Sequence, residues 1–157
     1  MKKVLVVYYS RTGHTQEMAD AIAKGAQTAG AQAVCSAVQD VNVKELVQYD
    51  VIVIGSPSYY GAMAGDVKKF LDATIAVQGA LRGKVGGAFC SSARVSGGNE
   101  TTLLSILHAM LVHGMVLTGG SATFPYGPVA IHAPDDTTTR EECMAYGRML
   151  AELAAKL

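Results

Sequence analysis

Short apolar runs rich in β-branched residues alternate along this chain with longer segments whose apolar residues return at helical spacing. That alternation restricts the fold more than any other feature of the sequence. Val4 to Tyr8 is an unbroken apolar run, the pattern of a strand buried on both faces, as in parallel sheets. From Thr15 the apolar positions become Met18, Ala19, Ile22, Ala23 and Ala26, a helical face that ends near Gly30. Ala31 to Val38 reads as a second strand. Val51 to Ile54 reads as a third, followed by a loop from Gly55 to Gly65 and a helix opening at Asp66 with Val67, Phe70, Leu71 and Thr74 on one face. Val85 to Phe89 is strand-like, interrupted by Gly86-Gly87, and Leu103, Leu104, Leu107, Met110 and Leu111 trace a helix closed by Gly114. Met115 to Leu117 is a short strand. Arg140 to Leu157 is a last amphipathic helix with Cys143, Met144, Leu150, Leu153 and Leu157 inward. Five strands and four or five helices with no long linker predict an α/β fold, a three-layer α/β/α sandwich on a parallel sheet, in one domain spanning 1–157.

Composition narrows the partners. The chain has 157 residues, 13 basic and 13 acidic, so its formal net charge is zero and it lacks the clustered Lys and Arg that a nucleic-acid backbone or an anionic membrane requires. Half of the residues are apolar, enough for a sizeable core built from Val, Leu, Ile, Ala and Met. Cys35, Cys90 and Cys143 are odd in number and widely spaced, so they form neither a disulfide framework nor a thiolate zinc site, and a reducing cytoplasm is the expected home. The first apolar run ends at Tyr9, too short to span a membrane, and no cleavage site follows it.

In sandwiches of this kind ligands sit outside the carboxyl ends of the strands, which directs attention to three loops. Ser10-Arg11-Thr12-Gly13-His14-Thr15 joins the first strand to the first helix and offers three hydroxyls around one glycine. It reads either as an anion cradle, with helix N-terminal N–H groups and the Ser10, Thr12 and Thr15 hydroxyls meeting a phosphate, or as an ordinary turn whose Ser and Thr cap the helix. Its position after the first strand favours the phosphate. The second loop carries Pro57-Ser58-Tyr59-Tyr60-Gly61 and no charge between Gly55 and Gly65. Its paired tyrosines either stack on a flat heteroaromatic ring or divide between packing beneath the loop and facing solvent. The third, Cys90-Ser91-Ser92-Ala93-Arg94-Val95-Ser96-Gly97-Gly98-Asn99-Glu100, either wraps a ligand edge or caps the next helix through Asn99 or Thr101.

Several chemistries are excluded. Gly79 to Val85 has the wrong spacing for a nucleoside-triphosphate loop, and no strand is followed by Gly-x-Gly-x-x-Gly. Cys90 lacks the arginine six residues on that a phosphatase loop needs, Ser96 standing there, and reads as a core thiol. His14, His108 and His132 show no metal-ligand spacing, and no metal site is expected. His113, before Gly114, is either a helix C-terminal cap or a ligand contact.

Taken together, Tyr8 to Thr15, Gly55 to Gly61 with Gly65 and Phe70-Leu71-Asp72, Phe89 to Ser92 with Gly97 to Thr101, His113-Gly114-Met115 and Pro125-Tyr126-Gly127 resemble the flavodoxin superfamily, and within it the WrbA-type NAD(P)H:quinone oxidoreductases. The resemblance implies a five-stranded parallel sheet in the order 2-1-3-4-5 and bound FMN. It further implies that the first loop holds the phosphate, that Ser58, Tyr59 and Tyr60 flank the isoalloxazine, and that Ser91, Ser92, Ala93, Arg94 and Gly97 follow the ring and ribityl chain. His113 would line the flavin if it corresponds to a histidine of the family's His-His-Gly, where this chain has Val112-His113-Gly114. The implied activity is electron transfer from transient NAD(P)H through FMN to a quinone or similar two-electron acceptor, with no catalytic side chain and a dimeric or tetrameric assembly. The alternative is a flavodoxin-type carrier with no substrate of its own. Carriers in this superfamily are typically strongly acidic, whereas this chain is neutral.

Overall fold

The computed structural model describes residues 1–133 and 136–157. The expected strand-helix alternation forms as β1 (Lys3–Tyr8), α1 (His14–Thr28), β2 (Gln32–Ala37), β3 (Val51–Tyr59), β4 (Ala62–Met63), α2 (Gly65–Ala73), β5 (Val85–Ser92), α3 (Asn99–Val112), β6 (Val116–Leu117), β7 (Val129–Ile131) and α4 (Thr137–Lys156).

From Val4 on, β1 is continuously apolar because both of its faces are covered. Val4 and Val6 point into one core with Val51, Val53, Phe89 and the inner faces of α1 and α4. Leu5 and Val7 alternate into the other with Ile52, Ile54, Cys90 and the inner faces of α2 and α3. The central path of the sheet is β2-β1-β3-β5-β6. β6 pairs with the start of β5 (Val85↔Val116, Gly86↔Leu117) and β7 with its end (Cys90↔Val129 to Ser92↔Ile131). Since β3 occupies the other edge of β5, β6 and β7 are two halves of one fifth strand split by residues 118–128. Counted so, the order is the expected 2-1-3-4-5.

Three expectations change. Gly55 to Gly65 is not a loop: β3 continues in register with β5 as far as Pro57↔Ser91, then turns antiparallel into β4 through Tyr59↔Ala62. Gly86 and Gly87 do not interrupt β5. They let neighbouring layers close onto it, for a Cβ on Gly87 would lie 2.7 Å from both the Tyr146 hydroxyl and Leu150. Leu111 and Leu157 are exposed, whereas Tyr146, absent from the expected face of α4, is among the largest buried side chains. Its hydroxyl accepts the Ala88 N–H at 3.2 Å, where the gap between β6 and β7 leaves that N–H without a ladder partner. Burial pushes the Tyr146 phenol up to about 12, so it stays protonated.

Candidate functional site

The carboxyl ends of β1, β3, β5 and β7 open onto a cleft of about 590 Å³ lined by Arg11, Thr12, His14, Thr15, Pro57, Ser58, Tyr59, Ser91, Ser92, Ala93 and His132. Ten of these eleven come from the three loops singled out in the sequence. The helix behind the first loop starts without a side-chain cap, on Gly13 in the left-handed region at φ 98°. The N–H groups of the first turn of α1 have no intrahelical acceptors, and a Cβ on Gly13 would meet nothing within 4 Å. Ser10 does not cap the helix. Its Oγ accepts the Gly13 N–H at 3.0 Å and so shapes the loop itself. Thr15 is buried, and its hydroxyl lies 2.9 Å from that of Ser91, tying the first loop to the end of β5.

A two-residue turn, Tyr60-Gly61, closes the β3–β4 hairpin, with both residues at positive φ (51° and 79°) as mirror-image hairpin turns require. Ser56 anchors its base by accepting the Ala64 N–H at 2.8 Å. This geometry separates the two tyrosines. Tyr59 ends the strand on the cleft wall, whereas Tyr60 stands at the tip, fully exposed and outside the cleft. Ser58 Oγ is shielded from solvent and has no hydrogen-bond partner in the described part of the chain, and its hydroxyl lies near enough to Cys90 to favour the thiolate slightly. Burial outweighs that effect and pushes the Cys90 thiol up to about 12, so it is neutral at pH 7 and is a core thiol, not a nucleophile.

Arg94 and Gly97 form a tight turn, the Gly97 N–H donating to the Arg94 carbonyl at 3.1 Å, and neither lines the cleft. The capping expected of Asn99 or Thr101 does not form: Gly98, at φ 89°, is the N-cap of α3. A Cβ on Gly98 would lie 2.5 Å from the Gly61 Cα, so the helix start rests directly on the hairpin tip. Asn99 is buried and donates to the Val95 carbonyl at 3.0 Å.

His113 lies away from the cleft. α3 leaves β5 at the cleft end and runs 14 residues back, a length of about 21 Å. His113 therefore caps the helix at the opposite end of the sheet, where its Nε2 lies 2.7 Å from Thr74 Oγ1. His132 is the lining residue that sequence reasoning missed. It follows β7, and its N–H donates to the Ser92 carbonyl at 2.7 Å. The short run Val129-Ala130-Ile131 was the available signal: read as the end of the fifth strand, it would have pointed to the loop that holds His132.

A doubly wound sheet of this order, with an uncapped first helix and an aromatic hairpin at one cleft, defines the flavodoxin-like class. The chain belongs to the flavodoxin family: a family model described as a flavodoxin domain matches residues 5–101. Among curated proteins it is 36% identical over 197 aligned positions to one from Rhodopseudomonas palustris (strain TIE-1) named NAD(P)H dehydrogenase (quinone), covering 100% of this chain and 99% of that one. A protein of the same name from Nitrobacter winogradskyi is 37% identical with the same coverage. Among solved structures, the WrbA-like flavodoxin from Agrobacterium tumefaciens superposes with a TM-score of 0.84 at 28% identity, covering 99% of each chain. An archaeal flavodoxin gives 0.83 at 29%, over 98% of this chain and 99% of that one.

Proposed function

We propose that the chain binds FMN in this cleft and is an NAD(P)H-dependent oxidoreductase that reduces a quinone or similar two-electron acceptor. The observation that carries the reading is that the N-terminus of α1 with no side-chain cap, the Ser58 hydroxyl with no hydrogen-bond partner among the described residues, and Tyr59 share one cleft. The residues present fit the cofactor's three parts. A phosphate suits the first-turn N–H groups of α1 with the Thr12 and Thr15 hydroxyls, because those donors and the helix dipole favour negative charge. Ser58 Oγ, shielded and without a hydrogen-bond partner among the described residues, is a donor or acceptor for the polar edge of a ring. Tyr59 supplies an aromatic wall, and Ser91, Ser92 and Ala93 line the same cleft. When bound, FMN supplies the chemistry itself, accepting a hydride from NAD(P)H and releasing two electrons to the acceptor.

The chain's own part is binding and orientation. Arg11, His14 and His132 line the cleft with no carboxylate among the described lining residues, which favours an anionic ligand although the whole chain is neutral. Burial holds Cys90 as a neutral thiol that keeps its proton at neutral pH. The names of the full-length relatives support the NAD(P)H and quinone assignment. The three cysteines are free thiols, in keeping with a reducing cytoplasm, and no helix among the described residues is long and apolar enough to cross a membrane. Stopped-flow mixing of FMN-loaded protein with NADH and with NADPH tests the reading. Rapid bleaching of flavin absorbance, reversed by adding a quinone, is the expected result. Bleaching that occurs only with a protein reductase would assign the carrier role instead.

A further inference from the structure

We propose that His132 is a binding residue of the cleft that donates a hydrogen bond to the phosphate of the cofactor. Among the described residues only two that are not glycine have a positive φ, Tyr60 and His132. Tyr60 owes that conformation to the hairpin turn. His132, at φ 61°, is held instead by its N–H on the Ser92 carbonyl at 2.7 Å, at the point where β7 stops pairing with β5. Glycine would take this left-handed backbone without strain, so the path of the chain gives no reason for an imidazole here. The surroundings supply one.

His132 lines the same cleft as Arg11, Thr12 and His14, and the described lining residues include three of basic type, Arg11, His14 and His132, and no carboxylate. Imidazole keeps at least one N–H donor in either protonation state, and a hydrogen bond to a phosphate oxygen gains from the charge of the acceptor. His132 thus reaches the anion from the fifth strand while loop 10–15 holds it from the first. The inference rests on the FMN reading above.

The test is the dissociation constant for FMN and for riboflavin, which lacks only the phosphate, measured by flavin fluorescence on the full chain together with the melting temperature of the cofactor-free protein. In His132→Gly the FMN constant rises about tenfold, the riboflavin constant stays within twofold, and the melting temperature is unchanged or higher because the strain is relieved. His132→Asn, which also tolerates the left-handed backbone, is the second variant should glycine loosen the loop, and it shifts FMN binding in the same direction. Equal losses for the two flavins, or unchanged FMN binding in both variants, would overturn the proposal. A fall in melting temperature with no selective loss of FMN would make His132 structural and overturn it as well. Wild-type protein that binds neither flavin would end the FMN reading and this one with it. Wild-type binding retained by both variants would end this one alone.

Discussion

At the scale of single residues, Tyr59 and Tyr60 show how one bond of chain separates a wall of the cleft from a solvent-facing tip. Tyr59 is the last residue of β3, is 37% exposed and lines the cleft. Tyr60 occupies the first left-handed position of the turn, a conformation that costs residues other than Gly, Asn and Asp about 1–2 kcal/mol. Tyr59→Leu is therefore expected to weaken FMN binding and alter the flavin absorption envelope while leaving the melting temperature of the cofactor-free protein nearly unchanged. Tyr60→Asn places the preferred Asn-Gly pair in the turn, so that melting temperature is expected to rise by a few degrees with FMN affinity intact. Flavin titration and thermal melting of both variants check the pair. The sequence put the two tyrosines in one loop on equal terms. What divides them is the pairing of Tyr59 with Ala62, which makes one a strand residue and the other a turn residue.

Elements meet most closely where α1 crosses α4. A Cβ on Gly25 would lie 1.9 Å from the Met144 carbonyl oxygen, and one on Gly147 would lie 1.9 Å from that of Ile22, so the two backbones touch through reciprocal glycines. Alanine gains about 0.5–1 kcal/mol over glycine inside a helix, but the overlap forces the helices apart, at a cost of about 1–3 kcal/mol. Gly147→Ala is expected to lower the urea midpoint because the second effect is the larger. The split fifth strand offers a second measurement. Tyr146→Phe leaves the buried Ala88 N–H without an acceptor at the gap between β6 and β7, a loss of about 1–3 kcal/mol in urea unfolding with little change in packing volume. Both effects were hidden in the periodicity of α4, which marked Cys143 and Leu150 as inward but gave no reason to place a tyrosine and a glycine beside them.

Across the whole molecule the two ends of the sheet differ. The cleft end gathers Arg11, His14 and His132, while at the far end the Thr74–His113 hydrogen bond ties the last turn of α3 to the segment after α2, where Ile75, Leu111 and Val112 are exposed, Val112 at 86%. Apolar side chains grouped in this way favour association, and we expect the chain to form a homo-oligomer through this end. Sedimentation of Ile75→Glu with Val112→Glu is expected to shift the protein toward monomer and leave its FMN affinity unchanged, since the substitutions lie at the other end of the sheet. Unaltered sedimentation would place the interface elsewhere.

Local signals determined the alternation of strands and helices, the two-faced burial of β1 and the anion-ready first loop, because an apolar run, a 3.6-residue period and a glycine before a helix are all set by neighbours in sequence. The continuation of β3 beyond Ile54, the splitting of the fifth strand, the arrival of His132 at the cleft and the removal of His113 from it were decided by tertiary structure. Each depends on residues far apart in the chain: Pro57 beside Ser91, Ser92 beside Ile131, His113 bonded to Thr74. Register between distant strands and the direction of a helix across a sheet are properties of the packed whole, where burying both faces selects one pairing, and no window of neighbouring residues contains them.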